Sequence, residues 1–494
     1  MLEPARQLVD LLNGSKACIL TGLTNRPVRR LTADSRQVVP ETLFVALRGV
    51  HTDGHRFLGE ALDRGATVLV VEEFPVALQE RVQQAGCTVV KVSNSRQAFA
   101  LLASAYHGHP GQHLRLIGIT GTNGKTTTSY IIESILQAAG EAVGVIGTVN
   151  YRIGTQEIPA AHTTPDAFEL HDLLAQMVQA NLGYAVMEVS SHALDQERVW
   201  GCRFEAAVFT NLSRDHYDYH GTAEAYFAAK ARLFQDLSAV WHVLNLDDPS
   251  GQRLLHMSQA RLLTYGLEGE ATLKPSAVRH GLDGIHFTLS TTKGQLEITS
   301  PLVGRHNVYN LLAGIAVAIA LDIDAGAIIQ GIAQLQRVPG RLERVDCGQD
   351  FAVFVDYAHT PDALEKVLQL VRAETTGRLI TVFGCGGDRD PGKRPLMGQV
   401  ATSLSDYTII TSDNPRTEDP QHILDEIIAG VESARDYIAL PERQEAIEHA
   451  IAVAQPWDTI VIAGKGHEDY QILGQTRRHF DDREVAQAAL QRRG

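Results

Sequence analysis

Residues 116–130, LIGITGTNGKTTTSY, restrict what this chain can fold into more than any other stretch. An apolar run over 114–119 stops at a glycine-rich turn, and Lys125 follows with Thr126, Thr127 and Thr128. A helical pattern begins at Tyr130, with Ile131, Ile132, Ile135 and Leu136 on one side. Strand, glycine loop and helix in that order make a phosphate cradle. Glycines take backbone angles closed to other residues, and the N–H groups of the loop and of the helix start face an anion. Gly121 and Gly124 are those glycines; Lys125 would reach the outer phosphates and the Thr126 hydroxyl would sit on Mg²⁺. In the common P-loop a glycine stands five places before Gly124. Here that place holds Ile119, and Gly118 comes one place too early, so the loop is a variant.

A chain of 494 residues exceeds one hydrophobic core. Three domains are expected, over 1–93, 94–337 and 338–494. Apolar content of 44% and charged content of 21% are those of an ordinary globular protein. The net charge of −14 excludes a general nucleic-acid surface, so an anionic substrate must be met by local cations. The five cysteines (Cys18, Cys87, Cys202, Cys347, Cys385) show no CxxC spacing and read as reduced thiols. The longest apolar stretch, 311–321, is too short to span a bilayer. MLEPARQLVD lacks the positive-then-apolar pattern of a signal peptide. The expectation is a cytoplasmic protein with no membrane span and no nucleic-acid partner.

Strand and helix patterns alternate, which predicts an α/β fold. In the first portion strands are expected over 43–47, 66–71 and 88–92, with a helix over 58–64. The middle portion offers apolar runs at 142–146, 184–188, 207–209 and 241–245, as in a mostly parallel sheet covered on both faces. Residues 270–303 read differently, as short alternating segments with glycine turns that suggest an antiparallel patch, before a helix over 307–321. The chain changes domain near VPGRLE, 338–343. The last portion, read as Rossmann-like, places strands at 352–355, 379–383, 407–411 and 459–462. Each runs into a polar loop: DYAHTPD, GCGGDRDPGKRP, SDNPRTEDP and AGKGHEDYQ. Ligands in open α/β sheets bind at the carboxyl ends of strands, where all four loops fall.

Glu188 ends the run YAVMEV beside Ser190, Ser191 and His192; it reads as a Mg²⁺ ligand or as a solvated strand-end acid. TNLSRDHYDYHG packs Asn211, Asp215, His216, Asp218 and His220 together, a density that suits a second Mg²⁺ or a polarised substrate carboxyl. Lys230, in YFAAKARLF, is by default a solvated charge. Beside metal ions only a modified, negatively charged form would suit. Arg389 in GGDRD and Arg416 in DNPR offer two-pronged carboxylate clamps. Gly464 allows close backbone approach and Glu468 offers a seat for an ammonium. Two cations and an acid describe an amino-acid pocket; ordinary loop ion pairs would look the same one at a time.

Taken together and in this order, GTNGKTT, MEVSSH, NLSRDHYDYHG, YFAAK, GRLE, DYAHTPDAL, GCGGDRD, DNPRTEDP and GKGHEDYQ resemble the Mur ligases, over residues 34–483. GTNGKT alone would also fit a folylpolyglutamate synthetase. The resemblance is greatest to the members that add the third residue of the peptidoglycan stem peptide. It implies an ATP-dependent, amide-forming ligase with a UDP-substrate-binding first domain, an ATP-binding central domain and an amino-acid-binding last domain. ATP would be held by Gly121, Thr122, Asn123, Gly124, Lys125, Thr126 and Thr127, with Asn307, Arg341 and Asp356. Lys125, His216 and a carbamylated Lys230 would be catalytic, and Thr126, Glu188, His216 and Lys230 would hold Mg²⁺. Ala33, Ser35, Val50, His51 and Thr52 would take the uridine end of UDP-N-acetylmuramoyl-L-alanyl-D-glutamate. His162, Thr163, Thr164, Ser190, Gln196 and Arg198 would line the rest of its path, with His162 replacing an asparagine of some relatives. Arg389, Asp413, Asn414, Pro415, Arg416, Gly464 and Glu468 would form the acceptor pocket. The Arg416 cation suits the distal carboxylate of meso-2,6-diaminopimelate, which lysine lacks, because a buried carboxylate needs a partner. The implied partners are these small molecules, acting on a monomer whose last domain closes over the nucleotide. A lysine-adding Mur ligase, a folylpolyglutamate synthetase-like ligase and a nucleotide-binding regulator are the competing readings.

Overall fold

The computed structural model describes residues 5–13, 17–49, 52–432 and 436–493. Val50 and His51, and the side chain of Asp218, lie outside the described residues. The chain forms two compact units: one runs to residue 275 and includes 290–295 and 309–331; the other takes 276–289, 296–308 and 332 onward. No helix among the described residues is long and apolar enough to cross a membrane.

Among the described residues the first unit holds two large sheets, besides the short pair Arg6–Gln7/Pro27–Val28. The smaller runs Cys18–Thr21, Thr88–Lys91, Ala66–Val71, Thr42–Val45, Arg30–Thr32. All its pairs are parallel except the first. Asn94 caps the helix Ser95–Tyr106 by accepting from the N–H groups of Arg96 and Gln97. That helix buries Phe99, Ala103 and Tyr106 in one core with Leu43, Val45 and Val70.

The larger sheet has eight strands, in the order Gln156–Pro159, Asn150–Ile153, Val143–Ile146, Tyr184–Glu188, Arg115–Thr120, Arg203–Phe209, Ser238–Asn245, Arg261–Tyr265. The last six are parallel to one another, and Asn150–Ile153 pairs antiparallel on both sides. Apolar side chains such as Leu116, Met187, Phe204 and Leu233 fill the core beside it. The strand Arg115–Thr120 lies centrally, with Ile119 opposite both Glu188 and Val208. The glycine loop therefore emerges between the ends of the strands that carry Glu188 and Thr210.

Three expectations change here. The helix starts at Lys125, not Tyr130, and runs Lys125–Ala138, because Gly124 at φ +87° turns the chain directly into its first turn. The strands Arg203–Phe209 and Ser238–Asn245 are longer than their apolar runs. The hairpin Asn150–Ile153/Gln156–Pro159 has no apolar run to announce it. Its Arg152 is buried by a two-pronged pair with Glu133, at 3.0 and 2.5 Å.

The second unit holds a six-stranded sheet, ordered Glu343–Arg344, Ala352–Asp356, Thr459–Ala463, Leu379–Phe383, Tyr407–Ile410, Tyr437–Ala439. All pairs but the first are parallel. Leu379, Phe383 and Ile410 fill a core on one face, while Ile380, Val382 and Ile409 fill one on the other. Burial on both faces is why these strands read as unbroken apolar runs. A small antiparallel hairpin, Tyr470–Leu473/Thr476–His479, follows the last parallel strand. Pro275–Gly281, Gly284–Thr291 and Gly294–Ser300 make a separate three-stranded sheet, where 270–303 suggested short alternating strands. Leu296, Ile298 and Ser300 are its alternately buried residues.

Candidate active site

In the first unit the cradle is built from close approach. A Cβ on Gly121 would lie 1.9 Å from Thr210 Oγ1, and one on Gly124 would lie 2.3 Å from Asn310 Oδ1. Only glycine fits either place, and both have positive φ. The segment after the neighbouring strand clamps the loop's apex. The Asn123 N–H donates to Asn211 Oδ1 at 3.0 Å, and Thr210 Oγ1 donates to the Asn123 carbonyl at 2.6 Å. Asn211, grouped by the sequence with ligating side chains, is thus engaged with the loop. Lys125 Nζ donates to the carbonyls of Gly121 at 2.8 Å and Thr122 at 2.9 Å, so its ammonium hangs over the cradle.

Glu188 is buried beside the first turn of the helix. Its Oε2 accepts from Thr126 Oγ1 at 3.0 Å and from Thr148 Oγ1 at 2.9 Å, and its Oε1 accepts from the Thr148 N–H at 3.0 Å. Gly147 makes room for it, since a Cβ there would lie 2.5 Å from Glu188 Oε1. Sequence reasoning missed Gly147 and Thr148; the only signal was a glycine just past the strand Val143–Ile146. A hydroxyl and a carboxylate together at the cradle suit Mg²⁺, which prefers oxygen ligands and keeps waters and phosphate oxygens for the rest. No group of three His, Cys, Asp or Glu among the described residues is gathered tightly enough to cage a metal by itself.

Lys230 is fully buried, and its Nζ donates at 2.8 Å to the same Gly121 carbonyl that Lys125 meets. Burial, with the Lys125 charge beside it, holds its ammonium well below the ordinary lysine range. Tyr226 lies under it, with Nζ 4.5 Å from the ring centre. His216, half-exposed at φ +53°, sets Nε2 3.5 Å from Asp215 Oδ2 and its ring 4.9 Å from that of His192.

The next group converges on the Glu188 strand end. Thr164 Oγ1 donates to the Glu188 carbonyl at 2.8 Å and accepts from the Ser190 N–H at 3.0 Å. Arg198 donates to the Thr164 carbonyl at 2.7 Å and grips Gln196 Oε1 with two N–H groups. Thr163 Oγ1 lies 3.1 Å from Thr148 Oγ1, and the His162 carbonyl takes the Tyr151 hydroxyl at 2.7 Å. On the smaller sheet, Ala33 follows the strand Arg30–Thr32, Ser35 Oγ donates to Glu60 at 3.0 Å, and Thr52 is exposed.

In the second unit the four polar loops leave four neighbouring parallel strands on one edge. Asp356 is buried and accepts from the N–H groups of Leu342 and Ala358, both at 2.8 Å. Its burial raises its pKa. Arg341 stacks 5.4 Å from the Tyr357 ring centre, and Asn307 Nδ2 donates to the Val303 carbonyl at 2.8 Å. Arg416 Nη1 donates to the Gly387 carbonyl at 2.7 Å, and the Gly387 N–H donates to the Asn414 carbonyl at 2.9 Å. Gly387 must be glycine, because a Cβ would meet the Pro415 carbonyl at 1.9 Å. Asn414 Nδ2 donates to Glu468 Oε2 at 2.9 Å. Lys465, fully buried and missed by the sequence reading, sits 3.2 Å from that oxygen, 3.3 Å from Asn414 Oδ1 and 3.9 Å from Asp413 Oδ1. Gly464 places its backbone against Asp413, with an added Cβ 3.0 Å from Oδ2. Arg389 is exposed and donates to the Asp388 carbonyl at 2.9 Å.

A phosphate cradle with a buried acid, and an amino-acid-like pocket at the ends of parallel strands, define an ATP-using ligase class. Comparison with known proteins agrees. Profiles described as Mur ligase family, catalytic domain; Mur ligase middle domain; and Mur ligase, glutamate ligase domain match residues 27–107, 119–318 and 340–466. The chain belongs to the Mur ligase family. It is 48% identical to a UDP-N-acetylmuramoyl-L-alanyl-D-glutamate–2,6-diaminopimelate ligase of Geobacter metallireducens, covering 98% of this chain and 97% of that one. It is 48% identical to a protein of the same name from Gloeobacter violaceus, covering 99% of both. A solved structure of a ligase of that name is 35% identical, with a TM-score of 0.73 over 99% of both chains. A folylpolyglutamate synthase of Mycobacterium tuberculosis, 21% identical with a TM-score of 0.57 over 73% of this chain and 91% of that one, shares the fold.

Proposed function

We propose that this ligase joins meso-2,6-diaminopimelate to UDP-N-acetylmuramoyl-L-alanyl-D-glutamate at the expense of ATP, in the assembly of peptidoglycan precursors. One observation carries the choice of acceptor. The pocket sets a guanidinium, Arg416, at one end of the DNPR loop, and a net-acidic cluster where Asp413, at the other end of that loop, meets Lys465 and Glu468 of the next. A substrate with an ammonium near one end and a carboxylate at the other matches both. Lysine would bring no carboxylate to Arg416. The names of the relatives point the same way.

Lys125 and the loop N–H groups bind the phosphates of ATP, while Thr164, Ser190 and Arg198 orient the dipeptide arm. The γ-carboxylate of the D-glutamate attacks the γ-phosphorus, forming an acyl phosphate and releasing ADP. The amine of the acceptor then attacks the acyl carbon, loses its proton, and phosphate leaves as the amide forms. Mg²⁺ held by Thr126, Glu188, His216 and a carbamylated Lys230 would screen the negative charge that gathers between carboxylate and phosphate. The protein's share is positioning and charge. Asn307, Arg341 and Asp356 are assigned to the nucleotide, and Ala33, Ser35 and Thr52 to the uridine end, on the resemblance.

Replacement of Arg416 by Ala or Lys tests the acceptor. Diaminopimelate incorporation should lose at least tenfold in kcat/KM, since truncating a charge pair costs about 2–5 kcal/mol, while lysine incorporation changes little. An unchanged rate with diaminopimelate would remove the argument.

A further inference from the structure

The hairpin Tyr470–Leu473/Thr476–His479 contains none of the residues assigned to binding, yet it braces the DNPR loop along its length. The Arg416 N–H donates to the Ile472 carbonyl at 3.0 Å, and the Gly474 N–H donates to the Arg416 carbonyl at 2.7 Å. The Ile472 N–H donates to Asn414 Oδ1 at 3.0 Å. Gln471, 1% exposed, donates Nε2 to the Asp413 carbonyl at 2.7 Å. Arg478, on the second strand, fixes which way that amide faces: its Nε and Nη2 donate to Gln471 Oε1 at 3.1 and 2.6 Å. With the oxygen engaged, the amide turns its NH₂ to the loop. Arg416 needs such support, because it holds φ +53°, a conformation that a residue with a side chain keeps only when its surroundings enforce it.

We infer that Gln471 is a positioning residue for acceptor selection: the chain of hydrogen bonds Arg478–Gln471–Asp413, with the paired hairpin backbone, sets the Arg416 guanidinium where the acceptor's distal carboxylate arrives. The inference rests on the acceptor reading above. An amide that merely stabilised the fold would affect all three substrates alike when replaced. A positioning amide affects the acceptor alone.

The test uses the full chain and compares Q471E, R478M and R416K with the parent. Q471E keeps the size and the pairing with Arg478 but turns an oxygen toward the Asp413 carbonyl. Leaving a buried carbonyl without its donor predicts a KM for diaminopimelate raised about tenfold or more. The diaminopimelate-to-lysine ratio of kcat/KM should fall with it, and the KM values for ATP and the UDP-linked dipeptide should stay within about twofold. R478M replaces a half-exposed side chain, and so tests the same relay if Q471E fails to fold; it should shift the same two readouts, about threefold. Unchanged acceptor KM and ratio, or equal shifts for all three substrates, would overturn the inference. If R416K weakens diaminopimelate use while Q471E and R478M do not, the inference alone fails. If R416K has no effect, the pocket reading fails and this inference goes with it.

Discussion

Lys230 shows what a single residue can hide. From the sequence it is one lysine on a helix, and a solvated charge is the default. The fold buries it against the Gly121 carbonyl and beside Lys125, where an ammonium is disfavoured. A neutral amine is the form that adds CO₂, losing a proton to become a carbamate, and that anion suits a Mg²⁺ site as the resemblance implies. Enzyme stripped of CO₂ should lose several-fold in phosphate release and regain it with bicarbonate. K230R, which forms no stable carbamate, should not respond. Gly124 is the opposite case, readable at once because its backbone angle and its neighbour both demand glycine. G124A should raise the KM for ATP and lower Tm, since forcing a side chain into that conformation costs about 1–2 kcal/mol before the contact with Asn310 is counted.

Elements were read best where burial is symmetric. The inner parallel strands of both large sheets announced themselves as apolar runs, and the loops after them were found in place, whereas the outer parallel strands Arg261–Tyr265 and Tyr437–Ala439 were not read. The Asn150–Ile153 hairpin and the one that braces the DNPR loop were not readable, because polar side chains or backbone groups hold them. The loops themselves depend on a buried ion pair. Arg443 meets Asp482 at 2.7 and 2.6 Å and also donates to the carbonyls of Ser412 and Ala463, one residue before the DNPR and GKGHE segments. D482A should destabilise the second unit by about 3–5 kcal/mol in urea unfolding, because it strands a buried guanidinium. The helix Ala167–Gln179 carries a different liability. His171 is buried, and among the described residues neither ring nitrogen has a hydrogen-bond partner. Burial, with His107 and His109 beside it, pushes its pKa from 6.5 down to about 3. The folded state therefore refuses a proton that the unfolded chain accepts. Stability is intact above pH 6.5 and drains away as pH falls toward 3. H171L lacks this term, so its Tm should exceed that of the parent by a margin that widens across the same pH range.

At the scale of the molecule, the order of motifs carried more information than any one of them. A variant glycine loop fits many nucleotide enzymes, and a strand-end acid fits almost any α/β protein. Their succession through to the DNPR and GKGHE segments fits the family that the profiles and relatives show. Gly147, Thr148, Lys465 and Gln471 were not readable, since each acts through a neighbour that only the fold brings near. The central claim is that ATP cleavage is tied to joining this acceptor to this UDP-linked dipeptide. The most direct measurement follows phosphate release and product mass with the dipeptide and either diaminopimelate or lysine. The account predicts phosphate only when dipeptide and acceptor are both present, one amide per phosphate, and a strong preference for diaminopimelate. Phosphate released without the dipeptide or without any amino acid, or lysine used as well as diaminopimelate, would contradict it.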